Sequence, residues 1–390
     1  MRYRGLGDIK HQSAAGSRPC VSTSSIEYHA PTSIHRYLPL ALANNDSKQS
    51  LDLVIAGLFG PAPATSAALT EGVRLPALET MLARSDHPGD ISPSGLEAVL
   101  FALFGVDIGT DEDLPVAAVT RVLDLGVIDK GWWLRADPVH LRPEHDRLIL
   151  FDNKLLQIAQ AEADGLAAEI MEVYAADGWL LKAPRPSRWY LKPPRASRIG
   201  TTPLPDVIGK DIHPYLPHGK DGKTWHTILN EIQIMLHTAG VNTERERRGK
   251  PPVNSLWFWG SGRLPRIRPV SWAQVWSQEP VSLALARLSE TTSAGVPAGF
   301  PEWARQAARP GAHLVVLEES RGAVAYGEAG EWLEFMRKLE RDWMAPMLEA
   351  LKGGQLERVT IHTDTGRRLT ITPVGARRWW RRSRSLETFR

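Results

Sequence analysis

Asn242, Arg245 and Asn254 stand close together in the chain, and an apolar run, LWFW, leads from them to Gly260-Ser261-Gly262. Guanidinium groups fork onto phosphate or carboxylate oxygens. An apolar strand ending in Gly-x-Gly can offer backbone N–H groups to an anion at its carboxyl end. Arg135 and Asp137 alternate along a second apolar run, WWLRADPVHL. Alternation sends both to one face of a strand. There they form either a ligand clamp or a structural ion pair. His226, Asn230, Gln233 and His237 make a polar stripe on a helical segment whose other stripe is Trp225, Ile228, Leu229, Ile232, Met235 and Leu236. The expected ligand-binding set is therefore Arg135, Asp137, His226, Asn230, Asn242, Arg245, Asn254, Gly260 and Gly262. Its chemistry suits an anionic, phosphorylated small molecule. His213, His218, His226 and His237 lack the tight spacing of a zinc site and have no cysteine beside them. Glu244–Lys250 reads as a solvated helix end.

Composition narrows the classes. The chain has 390 residues, of which 43% are hydrophobic and 23% charged, with a net charge of +3. That is the profile of a large globular protein and gives no electrostatic case for nucleic acid. The one cysteine, Cys20, excludes an internal disulfide, and a reducing cytoplasm is the expected compartment. No run reaches the roughly 20 apolar residues of a membrane span, so no membrane partner is expected. Most of the 14 tryptophans are expected in packed cores. The tail RRWWRRSR (377–384) is expected to pack its tryptophans on the body and solvate its arginines, with nucleic acid or lipid headgroups as the sharper readings.

The elements that would position these groups follow from periodicity. LDLVIAGL (51–58) reads as a buried parallel strand. Leu75, Leu78 and Leu82 have helical spacing, with Pro76 at a helix start. Trp132–Arg135 and Arg147–Phe151 read as strands around a Pro-containing loop, followed by a helix over about 153–174 and extended chain over 179–205. A helix is expected over 223–237, another over 281–288 and a long one over 331–351. A short strand is expected at 314–317, and Asp364-Thr365-Gly366 turns a hairpin between 356–363 and 368–372. The fold class is α/β: a mostly parallel sheet flanked by helices, plus an inserted α+β domain. The expected boundaries are a disordered tail at 1–33, a first core half at 34–130, the insertion at 131–250, a second core half at 251–375 and a basic tail at 376–390.

Taken together, these pieces resemble archaeal-type cofactor-independent phosphoglycerate mutases of the alkaline-phosphatase superfamily. LRADPVHL (134–141), TWHTILNEIQIMLHTAGVN (224–242), PPVNSLWFWGSG (251–262) and RDWMAPMLEAL (341–351) also resemble the RpfE-type bacterial regulatory proteins. The resemblance implies an alkaline-phosphatase-like core. In an active member it would imply two divalent cations such as Mn or Zn, and a Ser or Thr nucleophile at a helix start. This chain departs from that pattern. Ala56 stands where the first strand should end in a metal-binding aspartate, and Leu75 where the nucleophile should be. Asp364 keeps its place, but Thr365 replaces the histidine after it. A methyl group cannot coordinate a cation, nor a leucine accept a phosphoryl group. The expectation is a non-catalytic, cofactor-free regulatory protein that binds an anion or a protein partner. The alternatives are an active mutase-type phosphotransferase and, more weakly, nucleic-acid binding through the tail.

Overall fold

The computed structural model describes residues 49–61, 74–86, 94–106 and 113–389. The expected tail at 1–33, with Cys20, lies outside the described residues. In chain order the strands are β1 (Gln49–Ile55), β2 (Trp132–Glu144), β3 (Arg147–Phe151), β4 (Leu180–Arg185), β5 (Arg188–Lys192) and β6 (Ser255–Arg263). They continue with β7 (Trp272–Trp276), β8 (Ser293–Ala294), β9 (Gly311–Leu317), β10 (Leu356–Thr363) and β11 (Arg368–Ile371).

Two sheets result. The first runs β11-β10-β1-β9-β7-β8. It is parallel throughout except for β11, which pairs antiparallel with β10 through the Asp364–Gly366 turn. β1 and β9 are mainly apolar, apart from the buried Asp52 and His313, because helices cover both faces of a parallel sheet. One face packs Leu53, Ile55, Val315 and Ile361 against the helices Pro76–Arg84 and Ala329–Leu339 and the segment beyond. The other face packs Val54, Ala56, Leu314 and Val316 against the helices Leu96–Leu103 and Pro280–Leu288. The second sheet, β3-β2-β5-β4 with β6 on β2, is antiparallel. Helices Gln160–Tyr174 and Gly222–Thr238 cover one of its faces, burying Leu166, Ile170, Trp225, Leu229 and Ile232. Val139, Leu141, Trp257 and Trp259 of this sheet share one apolar cluster with Val54, Leu314 and Val316 of the first. β6, which follows residue 250 in the chain, is thus hydrogen-bonded into the second sheet.

Several elements differ from expectation. β2 continues through Pro138 and Pro143 where a loop was expected. Pairing with β5 covers only Leu134 and Arg135, so one flank of Pro138 has no ladder to interrupt. The helix expected over 153–174 is two helices, split where Gln157 turns to φ 47° and the Glu162 carboxylate accepts from the Ala159 N–H to start the second. The long helix widens into a π turn at Glu340–Met344, before Pro346, which lacks the N–H an unbroken ladder needs.

The tail reverses its expected packing. Trp379 and Trp380 are 79% and 64% exposed, and the arginines are what hold the segment down. Arg377 donates to the Lys352 carbonyl, Arg378 pairs with Asp86 at 2.7 Å and Arg381 donates to the Ser85 carbonyl. The cause is local supply: the body offers carbonyls and a carboxylate here, not an apolar pocket.

Candidate functional site

The register of the first sheet brings three strand ends together. Ile55 lies beside Thr363 of β10 and Leu317 of β9. The chain therefore leaves all three strands at one edge, as Ala56-Gly57, Asp364-Thr365 and Glu318. The crevice outside the carboxyl ends of a parallel sheet is where such folds bind ligands. A cavity of about 780 Å³ opens there. Gly57, Ser94, Asp364, Thr365 and Arg321 line it from the first sheet's side, and Arg142, Phe151, Asp206 and Lys210 from the second's.

The loop at Ala56-Gly57 is held by its own surroundings. Asp364 Oδ2 accepts from the Gly57 N–H at 2.8 Å, the Ser320 hydroxyl donates to the Ala56 carbonyl, and Trp332 Nε1 donates to the Gly57 carbonyl at 2.9 Å. Gly57 sits at φ 68°, and a Cβ there would lie 2.8 Å from Val324 Cγ2. Only glycine fits both the angle and the gap.

Charge is organised around Arg321. Its guanidinium forks onto the buried Glu97 with two bonds of 2.8 Å. Burial alone would raise the Glu97 carboxyl, but the Arg321 charge and hydrogen bonds outweigh it and hold Glu97 below its usual range. Burial likewise opposes the Arg321 charge, and Glu97, Asp206 and Glu279 restore it and push its pKa up. The other acids nearby are held above their usual range. Asp206 is raised by burial and by the Glu97 and Asp364 charges, against Arg321 and Lys210. Glu318 is raised by burial and by Glu97 and Glu319, with Arg321 opposing. Burial also raises Asp364, against the Gly57 N–H and Arg321. Glu279 caps the helix Pro280–Leu288 through the Val281 and Ser282 N–H groups, and burial and the Glu318 charge push it up to about 7.

These residues do not fit a two-cation centre. A divalent cation needs several oxygen or nitrogen donors converging on one point. Among the described residues no three His, Cys, Asp or Glu side chains converge in that way. Ala56 contributes a methyl, Asp364 is engaged with the Gly57 N–H, and Thr365 Oγ1 bonds Thr363 Oγ1 at 2.8 Å. The Arg321 guanidinium is the resident cation among the carboxylates. Leu75 is 4% exposed and packs into the apolar core below the loop. At the helix start behind it, the Ala77 and Leu78 N–H groups donate to the Glu340 carboxylate at 2.7 and 3.0 Å. A side-chain carboxylate thus fills the anion position of that helix end.

The nine residues expected to bind a ligand lie elsewhere, and none lines this cavity. Arg135 and Asp137 form a buried ion pair at 2.7 Å. Asp137 also accepts from Trp259 Nε1 and the Trp189 N–H, and Arg135 lies over the Tyr190 and Trp259 rings. Asn242 bonds the Leu236 carbonyl and both backbone groups of Val253. Arg245, fully buried, spends its donors on Glu162 and the Leu156 and Pro251 carbonyls. Asn254 bonds both backbone groups of Leu141. Gly260 and Gly262 continue β6. The Gly260 and Ser261 N–H groups donate to Thr201 and Asp113, and any Cβ on the two glycines would strike Val116 and Pro115. His226 bonds the Pro217 carbonyl, while Asn230 is exposed on the outer face of its helix. His213 pairs with Asp211, and both His218 and His237 are exposed. Sequence reasoning missed Glu97, Asp206, Lys210, Arg321 and Glu340. Two carried a signal: Glu97 is the lone charge in LEAVLFAL, and Arg321 follows Glu318-Glu319 at the end of a strand.

No family model matches the chain. It is 41% identical over 68 residues to a 2,3-bisphosphoglycerate-independent phosphoglycerate mutase of Methanosarcina barkeri, a match covering 17% of each chain. It is 27% identical over 179 residues to a probable enzyme of the same name in Geobacter sulfurreducens, covering 45% of this chain and 44% of the relative. The matches therefore span less than half the length of these relatives. Among solved structures, a cofactor-independent phosphoglycerate mutase of Thermoplasma acidophilum overlays at TM-score 0.42 with 17% identity, covering 83% of this chain and 90% of that one. The PH0037 protein of Pyrococcus horikoshii overlays at 0.47 with 14% identity, covering 83% and 86%. What the chain resembles in sequence, over part of its length, is thus the cofactor-independent phosphoglycerate mutases.

Proposed function

We propose that this chain is a non-catalytic binding protein on a phosphoglycerate-mutase-like scaffold, taking a polar, anionic small molecule into the cavity at the strand ends. The observation that carries the reading is the arrangement there. Ala56 and Leu75 supply neither a metal donor nor a nucleophile, and Arg321, locked to Glu97, supplies the positive charge. Loss of the reacting groups leaves binding possible. Lys210 offers a cation and Ser94 a hydroxyl at the cavity wall, while Arg142 is forked onto Glu144 and Thr365 is bonded to Thr363. Asp206 and Asp364, both shifted toward the protonated form, can donate to an anion once they hold a proton. A regulatory role of the RpfE type, exerted on a protein partner, fits the same reading.

The test joins a mutase assay with a binding assay on the full chain. No turnover and no phosphoenzyme are expected with 3-phosphoglycerate and added Mn²⁺ or Zn²⁺. Phosphorylated three-carbon acids should raise the melting temperature. Lys210→Glu, at an exposed position, should weaken that binding by about tenfold. The two aspartates are raised groups, so anion affinity should increase as pH falls toward the carboxylate range. The second reading, metal-dependent phosphotransfer, is favoured by the names of the sequence relatives. Turnover that needs stoichiometric metal would establish it and end the first.

A further inference from the structure

The segment from Pro373 to Ser385 presents an unusual surface. Trp379 and Trp380 are 79% and 64% exposed, and Val374, a few residues before them, is 70% exposed. The two indoles meet edge to face, with centroids 6.2 Å apart and planes at 86°. The segment that carries them is tied down. Arg84 donates to the Ala376 carbonyl at 2.6 Å, Arg377 to the Lys352 carbonyl and Arg381 to the Ser85 carbonyl, and Arg378 pairs with Asp86. Leu386 and Phe389 are buried just beyond. Arg382 and Arg384 are exposed, and among the described residues neither is bonded or ion-paired. Four arginines, three of them from the segment itself, thus fix a platform that leaves two tryptophans and two arginines facing water. Exposing large apolar rings on a fixed platform costs free energy that a partner surface would return.

We infer that this platform docks on an anionic lipid surface. Tryptophan favours the boundary between headgroups and acyl chains, where its ring is buried and its N–H stays wet. Guanidinium groups beside it meet lipid phosphates, each adding attraction that adds up over the patch. The aliphatic Val374 fits an acyl boundary and has no use in base stacking. The perpendicular indoles also offer no pair of parallel faces to successive bases of a single strand. Docking is peripheral: no helix among the described residues is long and apolar enough to cross a membrane.

The experiment is co-sedimentation of the full chain with vesicles of phosphatidylcholine alone, or with about one third phosphatidylglycerol. Binding is expected to the mixed vesicles only, weakening as salt rises. The double variant Trp379→Ala/Trp380→Ala should lose at least about tenfold in vesicle affinity, and Arg382→Glu/Arg384→Glu a similar factor. All four side chains are exposed, so melting temperatures should stay at the wild-type value. They serve as the control that lost binding is not lost folding. The inference is overturned if the wild type stays in the supernatant with both vesicles. It is overturned equally if the tryptophan variant, folded, binds as well as wild type, or if single-stranded oligonucleotide is retained where anionic vesicles are not.

Discussion

Glu97 and Arg321 show how a single buried pair sets the character of the cavity. Removing one partner leaves the other charged and dry, so Arg321→Met should cost about 3–5 kcal/mol of stability by chemical denaturation. Glu97→Leu combined with Arg321→Met should cost clearly less than that, because no charge is stranded. Glu279 carries the opposite sign. Its folded pKa, pushed up to about 7, exceeds the ordinary 4.5, so its contribution is complete below the lower value and is lost as pH rises through the upper one. Glu279→Gln keeps an acceptor for the cap. It should flatten the fall in melting temperature between those two pH values, a change worth at most about 3 kcal/mol. An undiminished fall in the variant would place the titration elsewhere. At this scale the sequence was partly legible. The resemblance implied one site for Ala56, Leu75, Asp364 and Thr365, and the register of β1 and β10 brings Ala56, Asp364 and Thr365 to one edge, while Leu75 is buried in the core. Arg245 and Asn254 could not be told from ligand binders. Their donors go to carbonyls of Leu156 and Leu141, far away in the chain, and no local pattern names such partners.

Elements with strong periodicity matched their expected spans: Gly222–Thr238, Pro280–Leu288, and the hairpin from Leu356 to Ile371. The misread ones were decided by tertiary context. β2 passes two prolines because its flanks are only partly paired, and Gly260-Ser261-Gly262 stays in its strand because Val116 and Pro115 pack directly over it. The helix Pro76–Arg84 has Leu75 at its N-cap and borrows its cap from Glu340. Glu340→Ala should therefore destabilise by about 1–2 kcal/mol, read as a lower melting temperature. An unchanged value would mean that water caps the helix equally well. Gly57→Ala, which meets both the positive φ and Val324, should cost about 2 kcal/mol or more.

The mixed α/β architecture, with its mostly parallel sheet, followed from the alternation of apolar runs and amphipathic stretches. Only the folded chain revealed that β2 and β6, more than 110 residues apart in the chain, pair in one antiparallel sheet, because strand pairing across such separations leaves no short-range trace. The apolar cluster that joins Val54 and Leu314 of one sheet to Val139 and Trp257 of the other also governs how anything reaches the cavity. Swinging the sheets apart would wet those side chains at about 25 cal/mol per Å², so a clamshell motion has no cheap axis. A ligand of the proposed kind would come and go through a mouth that stands open at rest. Stopped-flow traces of ligand uptake should then show one phase whose rate climbs linearly with concentration, with no plateau from a slow opening step.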